Sequence, residues 1–189
     1  MASAAEEAGV TAPVKIRSAK GFALIDLLFV CVIIGIISAI ALPRLLKARQ
    51  YAGAASAIGS MRAISSAELT YALTCGSGFY APDLTTLGTP APGSTEAFVS
   101  PNLSTSNSVT RAGYVIQVQA TPYVGAPGSC NGLAQGAGGQ GFKGIADALD
   151  ADNHRYFAVN ADAQIFENNS SLLGVMPELG DPPAGHVLR

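Results

Sequence analysis

The stretch "SAKGFALIDLLFVCVIIGIISAIALP", residues 18–43, sets the plan of the chain. Residues 22–42 are almost all Leu, Ile, Val, Ala and Phe, and Asp26 is the single charged residue among them. A helix rises about 1.5 Å per residue, so a run of this length matches a hydrocarbon core about 30 Å thick. The run predicts a membrane-crossing helix. A carboxylate inside such a helix costs on the order of 3 kcal/mol on insertion scales, which makes Asp26 a candidate functional residue. The bland alternative is a carboxylate shallow enough to reach the headgroups.

The flanks differ in kind. Residues 1–21 are polar, carry Lys15, Arg17 and Lys20 just before the apolar run, and lack the form of a secretory signal. Basic residues on this side favour a cytoplasmic N-terminus, although Arg44, Lys47 and Arg49 beyond the run reduce the contrast. After Pro43 the text stays rich in Ala, Leu, Met and Arg, and one long helix is predicted from about residue 22 to about residue 73. Tyr51, Ala55, Ile58, Met61 or Arg62, Ser65, Leu69 and Ala72 recur at the spacing of one helix face, the face expected to pack on a soluble domain. Gly35 and Pro43 are the expected breaks, because proline removes a backbone hydrogen bond and crowds the preceding turn. Gly53 and Gly59 are softer spots, each costing about 1 kcal/mol relative to Ala.

From Cys75 onward Gly, Pro, Ser and Thr dominate, as in a connection that wraps over a surface. "VTRAGYVIQVQAT" reads as one strand with Tyr114, Ile116 and Val118 on one face. A Gly-rich loop follows, then "HRYFAVNADAQIFEN" reads as two strands joined by a turn at Asn160, Ala161 and Asp162. The tail shows no regular pattern. The expected organisation is a leader (1–21), an apolar membrane and assembly helix (22–43), its amphipathic continuation (44–74) and a loop-rich β domain (75–189). The fold class is α+β: a long N-terminal helix, its first half membrane-spanning, with a small antiparallel sheet on its distal half.

Composition narrows function. Net charge is −2 and charged residues are 13%, which offers no electrostatic case for nucleic acid. With 21 Gly, 11 Pro and no Trp, the soluble part is loop-rich rather than a dense enzyme core. Cys31 lies in the apolar run and reads as a small packing residue. Cys75 and Cys130 lie in the polar part; they can pair in an oxidising compartment or remain two thiols. There is no phosphate loop, metal-ligand spacing or nucleophile motif. His154 and His186 are poor candidates for catalysis. Asp147, Asp150 and Asp152 in "DALDADN" are a weak calcium candidate, since the glycine of a calcium loop is missing and His154 stands where an acid is expected. A solvated acidic turn is the favoured reading of these three residues. Asn102 and Asn168 open triplets with glycosylation spacing, a pattern common by chance.

The segment "KGFALIDLLFVCVIIGIISAIALP" resembles the N-terminal methylation segment of type IV pilins and of the pseudopilins of type II secretion. Basic leader, terminal Gly, Phe, an acid at the fifth residue, a mid-run Gly and a terminal Pro occur in order. The resemblance covers residues 20–43 closely and the continuing helix loosely. It implies cleavage between Gly21 and Phe22 by a prepilin peptidase and N-methylation of Phe22. It also implies that Asp26 docks subunits by neutralising a neighbour's N-terminal amine, and that Gly35 and Pro43 bound a stretch that unwinds in filaments. Asp26 replaces the family's Glu, and Ala23 stands where Thr or Ser is usual.

The physics agrees with a docking role. An α-amine has a reference pKa near 8, and methylation leaves it charged. At about 4 Å and an effective dielectric near 20, it attracts a carboxylate by roughly 4 kcal/mol, similar to the insertion cost of the acid. The implied protein is a filament subunit that sits in inner-membrane lipid with a cytoplasmic N-terminus before assembly. A pilus or secretion machinery then assembles it into an extracellular pilus or a periplasmic pseudopilus. It needs no cofactor, and calcium is the weak exception, since some secretion pseudopilins bind it in a loop. The rivals are a secretion pseudopilin and, from another class, an unprocessed signal-anchored periplasmic binding domain or enzyme.

Overall fold

The computed structural model describes residues 24–188. The chain divides into two compact units after Pro43. The first unit holds the apolar half of helix α1 (Leu24–Thr74), and the second holds everything from Arg44 onward. Two one-turn helices follow, α2 (Leu84–Leu87) and α3 (Pro101–Ser104). Six strands complete the chain: β1 (Ser108–Arg111), β2 (Tyr114–Gln119), β3 (Lys143–Ala148), β4 (Tyr156–Asn160), β5 (Ile165–Asn168) and β6 (His186–Val187). They form one antiparallel sheet in the order β1-β2-β3-β4-β5-β6, so each strand pairs with its sequence neighbour. The α+β fold, with a long apolar N-terminal helix and an antiparallel sheet packed on its distal half, stands as expected.

The second half of α1 packs through small residues. Gly53, Ala54, Ala57, Ser60, Met61, Ile64, Ala67, Glu68, Tyr71 and Ala72 are buried. This corrects part of the predicted face: Met61 and Ala72 are buried and Ile58 packs on the core, but Tyr51 and Leu69 point to solvent, at 63% and 54% exposed. The larger apolar residues suggested the wrong phase because close helix–sheet approach selects small side chains. At Gly53 an added Cβ would stand 2.6 Å from the Ala112 carbonyl oxygen.

The sheet has two covered faces. Toward α1, Ile116, Val118, Ala146, Phe157 and Val159 join Met61, Ile64 and Tyr71 in the main core. On the opposite face Ile145, Ala158 and Phe166 are covered by Leu172 and Met176 from the tail. Full burial of a side chain such as Ile64 or Leu172 is worth roughly 1.5–3 kcal/mol.

Three strand readings are corrected. The run read as one strand is the β1–β2 hairpin, turned by Ala112 (φ 50°) and Gly113 (φ 83°) with Arg111 opposite Tyr114. Positive φ at both central residues is the geometry of a tight type I′ turn, here without the usual Asn or Asp to announce it. The burial alternation of β2 is as expected, with Tyr114, Ile116 and Val118 inside. Strand β3 lies where a Gly-rich loop and an acidic turn were read. Within its "KGIADA", Gly144 sits where an added Cβ would stand 2.9 Å from Val159, with Ile64 and Met61 in contact behind it. The tail is not wholly irregular, since His186 and Val187 pair with Glu167 and Phe166 of β5.

Candidate functional site

The candidate assembly segment is the first half of α1. Among the described residues, α1 is the one helix long and apolar enough to cross a membrane, with mean hydropathy 2.8 over its best window and none of that window buried. Leu24, Phe29, Ile37 and Leu42 are all more than half exposed. Asp26 is exposed on this helix among residues of the same apolar kind. The expected leader, the expected Gly21–Phe22 cleavage and the expected methylation of Phe22 fall outside the described residues. Helix α1 runs through both Gly35 and Pro43 in the single chain, so neither residue ends it. Proline at position 43 deletes one i→i−4 bond, and the bonds on either side suffice to keep the turn.

Cys75 and Cys130 form a disulfide that closes a 55-residue separation, and Cys31 remains a free, exposed thiol. The bridge ties the end of α1 to the loop between β2 and β3. The Cys130 backbone N–H also donates to the Cys75 carbonyl at 3.0 Å. Next to it, the Asn131 amide donates to the Thr86 and Thr89 carbonyls at 2.9 and 3.0 Å, fixing the end of α2 to the same corner.

The weak calcium candidate does not assemble. Asp147 lies within β3 and accepts from the Ser171 hydroxyl at 2.7 Å. Asp150 accepts from the Gln50 amide at 3.2 Å and from the Asp152 backbone N–H at 3.1 Å. Among the described residues no group of three or more His, Cys, Asp or Glu side chains could hold a metal ion.

Two features escaped the sequence reading. Glu68 is fully buried on α1, where its Oε2 accepts the Ala81 backbone N–H at 2.9 Å and its Oε1 has no partner. Desolvation pushes its pKa well above the ordinary carboxylate range, against the opposing effect of the Ala81 bond, and Asp83 adds to the rise. The neighbouring Tyr71 hydroxyl is also buried, and burial raises its pKa while the nearby Ser129 side chain opposes the rise. A glutamate on a helix ordinarily reads as a solvated residue, so only correct phasing of the buried face exposes this one.

The second feature is a cleft of about 300 Å³ in the second unit, where α1 meets the β1–β2 turn and the loop after β3. Leu46, Arg49, Gly53, Gly113, Asp150 and Asn153 are among the residues that line it. Asn153, itself buried, donates to the Tyr114 hydroxyl at 3.0 Å. The lining contains no Ser, Thr, Cys or His; its ionisable side chains are Arg49, Tyr114, Asp150 and Asp152. His154 is exposed beside it, and His186 stands 4.0 Å from Glu167, which Arg155 also engages.

Comparison with protein-family models, with curated proteins and with solved structures found no match for this chain.

Proposed function

We propose that this chain is a structural subunit of a type IV pilus-like filament, synthesised as a prepilin and polymerised through its N-terminal helix. The observation that carries the reading is a membrane-length apolar helix, bare along its first half, with Asp26 as the lone charge in that run. Such a surface needs a cover, and lipid before assembly and sister helices afterwards supply chemically similar ones. In this reading prepilin peptidase cuts between Gly21 and Phe22. The amine of Phe22, methylated and still cationic, then meets the carboxylate of Asp26 in a neighbouring subunit. The disulfide supports a second unit exposed to an oxidising periplasm or cell surface.

The test is the intact mass and N-terminal residue of the chain in material sheared from cells, compared with the membrane fraction. A chain beginning at methylated Phe22 in the sheared material is the expected result. The same processed chain confined to membranes points instead to a secretion pseudopilus. A chain still beginning at Met1 in cells with active peptidase refutes the reading and leaves an ordinary membrane anchor.

A further inference from the structure

Charge is unevenly placed on the second unit. Every exposed charge on α1 from Arg44 onward is positive, since its one acid, Glu68, is buried. Arg44 and Lys47 stand at the start of this stretch, flanked by Leu45 and Leu46 at 51% and 61% exposed. Arg49 lines the cleft that Asp150 and Asp152 also line, and Arg62 lies about five turns further along α1 than Arg44, so Arg44 and Lys47 are the basic pair at the start of the stretch.

The sheet fixes where the opposite charge lies. Gly53 sits beside Ala112 at one end of the sheet, whereas Met61 and Ile64 sit beside Gly144, one residue from the end where Lys143 pairs with Asn160. Moving along α1 toward its C-terminus therefore leads from the β1–β2 turn to the β4–β5 turn. At that far end Asp162, Glu178 and Asp181 gather around Leu179, which is 56% exposed.

The far end is a built tip rather than a loose acidic loop. The Ala161 N–H donates to the Glu178 carbonyl at 3.1 Å, the Gly180 N–H to Asp162 Oδ2 at 2.6 Å, and the Asn160 amide to the Gly180 carbonyl at 2.6 Å. Glu178 Oε1 also accepts from the N–H and hydroxyl of Thr121. Among the described residues the ion pairs involve Glu167 alone as the acid and reach none of Asp162, Glu178, Asp181, Arg44 or Lys47.

We propose that copies of this chain join head to tail, with the acidic tip around Leu179 of one copy seated on the Arg44–Lys47 stretch of α1 in the next. This rests on the filament reading and names the contact between second units within it. Opposite free charges at the two ends of one unit make a heterologous contact, which extends into a helical filament where the rotation does not close a ring. The charges set register and speed encounter, while the exposed leucines on both sides supply the apolar burial that holds the contact. A cation or a basic peptide from elsewhere could meet the tip, but neither explains the matching free basic pair with its own exposed leucines.

The test uses the full chain in cells that polymerise it. Asp181→Lys, and separately Arg44→Glu with Lys47→Glu, should each lower the sheared polymer by about tenfold, and all three changes together should recover most of it. Independently, in a Cys31→Ser background, a chain carrying Leu179→Cys is co-expressed with one carrying Leu45→Cys. A disulfide-linked dimer should form only when both are present. Absence of that dimer in polymerised material overturns the proposal whatever the yields, and so does unchanged polymer from both charge variants. A wild-type chain that never polymerises refutes the filament reading itself, and this is seen before any variant is made.

Discussion

Replacing both bridge cysteines, Cys75→Ala with Cys130→Ala, should remove a large share of the second unit's stability. The bridge spans 55 residues, and in the chain-entropy account closing a loop of that length withdraws about 4 kcal/mol of freedom from the unfolded chain at 25 °C. Small domains hold only about 5–15 kcal/mol in total, and this one contains long Gly- and Pro-rich connections with little regular structure. The assay is urea unfolding of the full chain in detergent micelles, followed by near-ultraviolet circular dichroism of its tyrosines. The chain has six Tyr and no Trp, and Tyr71 and Tyr114 are buried in the core of the second unit. That signal reads the second unit without interference from the micelle-embedded helix. With a urea slope of about 2 kcal/mol per M, the midpoint should fall by about 2 M. Reducing the wild type should reproduce the shift. A fall under about 0.5 M would show the bridge to be a minor contributor, restraining little that the folded contacts do not already hold.

Glu68 gives a pH dependence with a definite sign. Its folded pKa is raised, so between the ordinary glutamate value and that raised value the folded chain keeps a proton that the unfolded chain releases. Stability should therefore fall as pH rises through that window, and Glu68→Gln should flatten the slope of Tm against pH. Gly53→Ala and Gly59→Ala should act in opposite directions. The first drives a Cβ to 2.6 Å from the Ala112 carbonyl oxygen and should cost about 1–3 kcal/mol. The second meets nothing within 4 Å on a helix and should gain up to about 1 kcal/mol; paired Tm measurements compare them. Asp26→Ala should leave membrane insertion and leader cleavage intact while reducing sheared polymer, and Asp26→Glu should be tolerated. Full polymer yield from the alanine variant would remove the docking role.

Elements whose signal is local were legible in the sequence. A continuous apolar run reads as a membrane-length helix in any context, because its length and hydropathy do not depend on neighbours. Tyr114, Ile116 and Val118 alternate as a half-buried strand must, and the β4–β5 hairpin carries its own turn signal. The two polar-region cysteines were visible as a pairing candidate, and the structure made the choice.

Close approach between two elements became visible only in the folded chain. The contact face of α1 is built on Gly53, Ala54, Ala57 and Ser60, and β3 threads Gly144 and Ala146 beneath that helix. Small residues at tight contacts carry almost no hydropathy, so no periodicity marks them, and the larger Tyr51 and Leu69 drew the predicted face to the solvent side. The same rotation hid Glu68, whose burial follows from the packing of α1 and the Ala81 segment and not from its own chemistry. Asp147 likewise reads as one of three carboxylates in a turn, until β3 places it in a strand beside Ser171. Local pattern sets which elements form, and close packing sets which of their faces meet.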